Sequence, residues 1–280
     1  MPVIQIVCGP TASGKSARAL DIAQSQDGVI INADAMQVYR ELRILTARPT
    51  PEDEAYAPHR LYGILPAHEA CSAARWLELA KPVIDETLDA GKLPVVTGGT
   101  GLYIFTLMRG LSPIPDIPAQ IRHQAMALWA EQKDGALQER DPVMHARLKP
   151  GDSQRHVRAL EVWLASGKSL RHWQELPRQT PYPDAEFKVE LIDLPREELY
   201  HRCEKRFEAM LEHGALEEAT RLRDMHLAPH LPAMHALGVP ELIGHLDGRW
   251  SLAEAIRRAQ QATRNYAKRQ VTWFRHQLKQ

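Results

Sequence analysis

The chain has 280 residues, 44% of them hydrophobic and 25% charged, with 35 Lys and Arg set against 35 Asp and Glu. This is the composition of an ordinary soluble globular protein of one large or two small domains, and no apolar run approaches the roughly 20 residues that a membrane helix needs. Three dispersed cysteines, Cys8, Cys71 and Cys203, and thirteen histidines without H-E-x-x-H or zinc-finger spacing argue against a disulfide framework and a zinc site, and fit a reducing compartment.

The first apolar run, Val3 to Val7, suits a buried parallel strand, and no signal peptide precedes it, which points to the cytoplasm. It leads into Gly9-Pro10-Thr11-Ala12-Ser13-Gly14-Lys15-Ser16, which reads G-x-x-x-x-G-K-S, a phosphate-binding loop. Ala17, Ala19, Leu20, Ile22 and Ala23 then suit a helix. In a strand, glycine loop and helix, successive N–H groups point at one anion. Lys15 would neutralise the outer phosphates, and the Ser16 hydroxyl would ligate Mg2+. The motif specifies a polyphosphate without saying which one.

A second buried strand is expected over 28–34, with Asp34 at its C-terminal end. A third polar strand end follows Pro94-Val95-Val96, in the turn Thr97-Gly98-Gly99-Thr100-Gly101. In an open parallel sheet, ligands sit outside the carboxyl ends of the strands. Asp34, Thr100 and the phosphate loop are therefore expected in one crevice, although Asp34 also suits a helix cap and G-G-T-G also suits a plain tight turn. Residues 46–51 read as a loop and 58–66 as irregular chain or a short strand. Residues 72–88 read as a helix with Trp76, Leu79, Val83 and Leu88 on its apolar face.

Composition shifts at the proline-rich 112–118, a linker. Helices are expected over 119–132, 134–139, 142–148, 153–166 and 169–175, with Ser153 as an N-cap and Gly167 as a stop. On the fourth, Arg155 and Arg158 share a face, where Glu161 can balance them in a solvated arrangement. Residues 187–192 alternate like a strand, and a helix follows over 197–213 with Leu199, Cys203, Phe207 and Met210 as its stripe. Arg202 and Arg206 lie one turn apart beside it.

The last helix, over 251–278, begins the most asymmetric stretch. From Ser251 to Gln280 there are seven Lys or Arg and one acid, Glu254, which gives plus six, so the preceding part carries minus six. Arg257, Arg264, Lys268, Arg275 and Lys279 recur along one stripe, beside Ile256, Val271, Phe274 and Leu278 on an apolar one. With Tyr266 and Trp273 interleaved, the basic stripe suits a nucleic-acid backbone and unstacked bases; the alternative is a solvated basic edge.

Together these residues resemble the tRNA dimethylallyltransferase family over nearly the whole chain. The matching stretches, in order, are Gly9 to Ser16 (G-P-T-A-S-G-K-S), Asn32 to Arg40 (N-A-D-A-M-Q-V-Y-R), Thr46 to Pro49 (T-A-R-P) and Gly98 to Tyr103 (G-G-T-G-L-Y). Gln154 to Val162 (Q-R-H-V-R-A-L-E-V), Arg202 to Gly214 and Thr263 to Arg275 follow. The resemblance implies an α/β fold, a P-loop NTPase-like parallel-sheet core carrying a small all-helical insertion. The core would span 1–114 and 182–280, and the insertion, 115–181, would bind the anticodon stem-loop.

The implied reaction moves a dimethylallyl group from dimethylallyl diphosphate to the exocyclic amine of the adenine 3′-adjacent to the tRNA anticodon, releasing diphosphate. Asp34 would accept the amine proton. The loop N–H groups, Lys15, Arg206 and Ser16 with Mg2+ would hold the leaving group, with Thr11 and Ser13 touching it and Thr100 positioning the reactants. Asp34, Ala35, Met36, Gln37 and Thr100 would contact tRNA, as would Arg122, Gln154, Arg155, His156, Val157 and Arg158 in the insertion. The spacing of the last helix adds Arg264 and Lys268. A monomer without a membrane partner is expected.

Three features depart from the family pattern. Ala35 stands where Ser is common, T-A-R-P replaces T-A-K-P, and His235 to Pro240 lacks the usual Arg and Gly-Tyr pair. A P-loop kinase of a small metabolite would explain the loop and Mg2+ but not the 154–158 segment or the basic helix. A non-catalytic RNA-binding module would leave Lys15, Ser16, Asp34 and Thr100 as coincidence.

Overall fold

Five strands, β1 (Val3–Cys8), β2 (Gly28–Asn32), β3 (His59–Arg60), β4 (Leu93–Gly98) and β5 (Glu186–Leu191), form one parallel sheet in the order β3-β2-β4-β1-β5. The computed structural model describes residues 1–278, so Lys279, placed on the basic stripe from the sequence, lies outside the described residues. β2 is buried along its whole length, and β1 and β4 nearly so, which is why each reads as an unbroken apolar run. β5 is an edge strand with Val189 exposed, hence its alternation.

The chain divides into two compact units, one of residues 1–108 with 181–280 and the other of 109–180. In the first, α1 (Lys15–Ser25), α2 (Pro51–Tyr56), α3 (Ala73–Asp89) and α4 (Gly101–Arg109) accompany the strands. Trp76 anchors α3 with no exposed surface. It stacks on Tyr103 of α4 at 4.8 Å, and its Nε1 donates to the Asn32 carbonyl at the end of β2 (2.8 Å). Val83 is also core, whereas Leu79 and Leu88 are only partly buried.

The second unit holds α5 (Ala119–Gln132), α6 (Asp134–Arg140), α7 (Pro142–His145), α8 (Ser153–Ser166) and α9 (Leu170–Glu175) around Leu137, Met144, Leu160 and Leu170. The N-cap of α8 is Asp152 rather than Ser153, because the Asp152 carboxylate accepts the Arg155 N–H. The chain enters and leaves this unit side by side, through an antiparallel bridge of Leu111 with Gln179.

Back in the first unit, α10 (Arg196–Glu212), α11 (Ala215–Asp224), α12 (Val239–Leu246) and α13 (Leu252–Gln277) complete the fold. α11 carries Glu218, 2% exposed, whose carboxylate accepts three backbone N–H bonds from Arg43, Ile44 and Leu45 at 2.8–2.9 Å. That fixes the turn leading into the T-A-R-P loop. The departure at His235 to Pro240 runs from the end of a 3₁₀ turn (Pro232–His235) to the start of α12, and Ala236 and Val239 in it are core residues.

Trp76→Ala removes a fully buried indole together with the donor to Asn32. It is expected to cost about 3–5 kcal/mol of unfolding free energy, measured by urea denaturation.

Candidate active site

The sheet brings three loops together. β2, β4 and β1 are neighbours, with Asn32 beside Thr97 and Cys8 beside Gly98, so their carboxyl ends are level. The 34–37 segment, the Gly99-Thr100 turn and the phosphate loop therefore leave the sheet at one edge. Two bonds lock the first two, Ala33 N–H to the Thr97 carbonyl (2.7 Å) and Thr100 N–H to the Ala33 carbonyl (3.3 Å).

The phosphate loop turns hard against the end of β5. A Cβ on Gly9 would lie 2.6 Å from the Ile192 carbonyl and 2.9 Å from Ser13 Oγ, so glycine is required there. Gly14 caps α1 at φ 92, and Ala12 is also left-handed at φ 63. Such a loop at a helix N-terminus is an anion nest. Ser13 Oγ is buried in it without a protein partner. Ser16 is exposed in the first turn of α1. Lys15 Nζ donates to the Pro10 carbonyl (3.3 Å), and Arg206 of α10 donates to Thr11 Oγ1.

Burial sets the electrostatics. It pushes the Lys15 ammonium down to about 8, with attraction from Asp34 opposing and repulsion from Arg206 assisting. It holds the Arg206 guanidinium below its ordinary value too, opposed by Cys203 and Asp34. Two desolvated cations thus act on each other, and Asp34 is the carboxylate that draws on both. An anion bound there would offset the repulsion between the two cations.

Asp34 faces that cation pair from the end of β2. Its N–H donates to Asn32 Oδ1 (2.8 Å), and Oδ1 accepts the Met36 N–H (2.9 Å) in a turn, not as the cap of a helix. Asn32 is fully buried, and its Nδ2 ties the Asp34 and Leu61 carbonyls, both at 3.1 Å. Among the described residues no hydrogen bond reaches Asp34 Oδ2, which leaves that oxygen as an acceptor. Thr100 Oγ1 accepts the Ala35 N–H (2.9 Å), so the common Ser hydroxyl at position 35 is not needed to hold this turn. The Tyr62 and Tyr266 phenols flank the carboxylate. Burial raises both, the Asp34 charge adds to this, and a hydrogen bond from Thr100 holds Tyr266 back.

Several sequence-predicted residues lie elsewhere or act differently. Gln37 Nε2 donates to the Thr46 and Ala47 carbonyls, both at 2.9 Å, so this amide braces the T-A-R-P loop. Met36 packs against the core. In the helical unit Arg122, Gln154 and Arg155 are exposed, and Val157 and Arg158 are partly so. Arg155 pairs with Asp152 (2.5 Å) and Arg158 with Glu161 (2.8 Å), the solvated arrangement the spacing allowed. His156 is fully buried against Trp129, with Nδ1 donating to the Asp152 carbonyl (2.8 Å), so it presents no surface to RNA.

The last helix differs most from its sequence reading. Its buried face is Ala255, Ala259, Thr263, Ala267, Gln270 and Phe274, while Ile256 and Val271 lie on its flank. Small residues let the helix pack closely, which a stripe drawn through the largest aliphatic residues misses. Acids from other elements supply the counter-charges absent locally. Arg264 pairs with Glu204 and Arg275 with Asp193 (2.8 Å), whereas Arg257 and Arg258 share Glu254 of the helix itself. Lys268 makes no ion pair among the described residues. Trp273 packs where a Cβ on Gly101 would go, with Phe105 edge-on at 6.3 Å, so it is a packing residue. An open surface hollow of about 650 Å³ lies along this helix beside Lys268, Arg269, Trp273 and His276. The sequence reading did not select Gln270 as a site residue, although a glutamine at core spacing between Ala267 and Phe274 is a usable signal.

Comparisons with known proteins identify the chain's relatives. A model of the IPP transferase family matches residues 37–277, and one for isopentenyl transferase matches residues 2–65. The chain is 52% identical to a tRNA dimethylallyltransferase of Rhodospirillum centenum, over 99% of this chain and 89% of that one. It is 51% identical to that of Paramagnetospirillum magneticum, over 98% and 88%. Among solved structures, the tRNA isopentenylpyrophosphate transferase of Bacillus halodurans superposes with a TM-score of 0.70 at 32% identity, over 98% of this chain and 87% of that one. A eukaryotic dimethylallyltransferase acting on tRNA does so with 0.80 at 26% identity, over 98% and 70%. With its P-loop NTPase-like sheet and these relatives, this chain belongs to the IPP transferase family.

Proposed function

We propose that this chain is a tRNA dimethylallyltransferase, moving the dimethylallyl group of dimethylallyl diphosphate to the exocyclic amine of the adenine 3′-adjacent to the anticodon. The observation that carries this is the placement of a cationic anion nest and the unsatisfied Asp34 Oδ2 at level strand ends. A kinase reading uses the nest but gives no reason for the family match along the rest of the chain. Among the described residues no helix is long and apolar enough to cross a membrane, and the three cysteines are unpaired; both support a cytoplasmic setting, and a monomer is part of the proposal.

In this reaction the allylic carbon–oxygen bond breaks and diphosphate leaves with the electron pair, while the adenine nitrogen forms the new bond and gives up a proton. The amine is a poor nucleophile because its lone pair is delocalised into the ring. Asp34 Oδ2 accepts that proton as the bond forms. The nest, Lys15 and Arg206 stabilise the charge that develops on the diphosphate, in a site where desolvation strengthens each contact. Thr11 and Ser13 line the nest, and the Ser13 hydroxyl, without a protein partner, is free to donate to a phosphate oxygen. Thr100 holds Ala35, and through it the Asp34 turn.

Mg2+ belongs to the proposal. Ser16 offers one exposed hydroxyl and diphosphate oxygens offer the rest, a donor set that suits an ion which keeps water and phosphate ligands, and bound there it would neutralise leaving-group charge. A stacked adenine cannot reach such a crevice, so the base is turned out of the loop. Arg122, Gln154, Arg155 and Arg158 of the helical unit and Lys268 of α13 are proposed to contact the RNA.

The deciding incubation contains the protein, magnesium, unmodified tRNA and either dimethylallyl diphosphate or ATP, followed by mass spectrometry of the nucleosides. Prenyl-adenosine from the first donor alone supports the transferase; ATP consumption without prenyl product would return the loop to a kinase. Asp34→Ala should lower turnover by about 10²–10⁴-fold with tRNA binding kept, and near-parent turnover would remove the base role.

Lys15 carries its charge below about pH 8 and loses it above. The affinity for dimethylallyl diphosphate should therefore fall by up to about tenfold per pH unit above that pH. Lys15→Met should bind more weakly and lose this fall, as measured by titration calorimetry. In the empty protein the same shift makes stability rise from about pH 8 towards 10.5, because the unfolded chain still holds the proton there. Lys268→Ala should lower the slope of log tRNA affinity against log salt by about one.

A further inference from the structure

We infer that Gln270 is a positioning residue that holds the diphosphate loop and the acceptor-side turn at one spacing; the inference rests on the transferase reading above. Gln270 is 6% exposed, on the buried face of α13. Its Oε1 accepts the Thr11 N–H at 2.8 Å, and its Nε2 donates to the Gly99 carbonyl at 2.7 Å. The partners belong to different loops, Thr11 after β1 and Gly99 after β4.

Each partner leads to a group that works in the transfer. Thr11 Oγ1 is the acceptor for Arg206 on the leaving-group side. Gly99 adjoins Thr100, whose Oγ1 holds the Ala35 N–H beside Asp34. A Cβ on Gly99 would run into Gln270 Nε2 and come within 3.3 Å of Asp34 Oδ2, so the amide and the carboxylate flank the same piece of backbone. One side chain spans the donor side and the base side of the reaction.

The sheet alone does not set this spacing. The β1–β4 ladder ends at Cys8 and Gly98, and among the described residues no backbone hydrogen bond joins the two loops beyond it. Gln270 supplies that link from a third element. The residue type matters, because an amide offers an acceptor to Thr11 and a donor to Gly99 in one plane. A carboxylate would keep the first bond and set an oxygen against the Gly99 carbonyl. The Thr11 N–H is also withdrawn from the anion nest, so Gln270 acts through the loop and not on the substrate.

Transfer needs the allylic carbon and the amine about 3–3.5 Å apart, and a misplacement of about 1 Å costs on the order of 100-fold. If the loops drift, water takes the amine's place. The carbon–oxygen bond to diphosphate then breaks, a bond from carbon to the water oxygen forms, and the water proton passes to solvent, giving dimethylallyl alcohol and diphosphate.

The test compares Gln270→Glu and Gln270→Met, both close to the parent in volume, with the parent protein on unmodified tRNA. Diphosphate release and prenyl-adenosine are quantified together, beside a thermal melt. Expected are a kcat for transfer about 100-fold lower, KM values for both substrates little changed, and more diphosphate released than adenosine prenylated. Parent-like kcat in a variant that melts like the parent would overturn the inference. So would a fall in turnover matched by a rise in KM for the donor with one-to-one stoichiometry, since that is a damaged binding loop. A parent that makes no prenyl-adenosine would instead remove the transferase reading, an outcome separate from either result.

Discussion

The register of β2, β4 and β1 is the constraint on which the site depends. Parallel ladders place Asn32 beside Thr97 and Cys8 beside Gly98, and nothing in the three loops themselves would bring Asp34, Thr100 and Lys15 together. A shift of one residue in any ladder would flip a strand's side chains between faces, moving buried isoleucines and valines into the wrong layer. The hydrophobic term that fixes the register therefore also brings the residues of the chemistry to one end of the sheet. This is how a site drawn from three separate loops of the chain becomes a local arrangement.

Beyond the strand ends the hydrophobic term has little to act on, and buried polar side chains take over. Asn32, Glu218, Thr97 and Gln270 are all nearly inaccessible, and each is bonded to backbone of a segment it does not belong to, or to a turn two residues on. A satisfied bond of this kind contributes about 1 kcal/mol, whereas leaving its partner unpaired costs about 1–3 kcal/mol. The asymmetry makes such groups poor general stabilisers but strict about geometry. A loop held by a core can slide, while a loop held by an amide between two backbone groups has one place to be.

Much of this was legible in the sequence, and what was not has a common cause. The strands, the phosphate loop and the expected helices over 119–132 and 153–166 follow from local patterns, and the structure places helices at these positions. The meeting of Asp34, Thr100 and the loop followed from one topological rule. Missed were α2, α11 and α12 and the bracing roles of Gln37 and Glu218. His156 was expected to contact RNA along with the rest of Gln154 to Arg158, the stretch that carries the resemblance, and the structure shows it as the inward position of an amphipathic helix. These errors share a source: a polar residue's partner is chosen by tertiary structure, and a one-dimensional pattern shows that it is polar without showing what it faces.

The basic tail makes the same point in charge. Counted along the sequence, the final helix has little to neutralise it, and the count suggests a free cationic stripe. In space Glu204 and Asp193 answer Arg264 and Arg275, and Arg269 lies over the Tyr266 ring at 5.6 Å. Exposed pairs such as Arg275 with Asp193 are worth little to stability and are screened by salt. They do not erase the field of the helix; they shorten its range. A polyanion approaching the helix would meet several arginines already oriented by weak partners that phosphate can displace, and one lysine, Lys268, with nothing to give up. The distinction between a solvated basic edge and an RNA-facing one is thus a matter of exchange: arginines that serve as surface pairs in the free protein would become phosphate ligands only for an anion that outcompetes Glu204, Asp193 and Glu254.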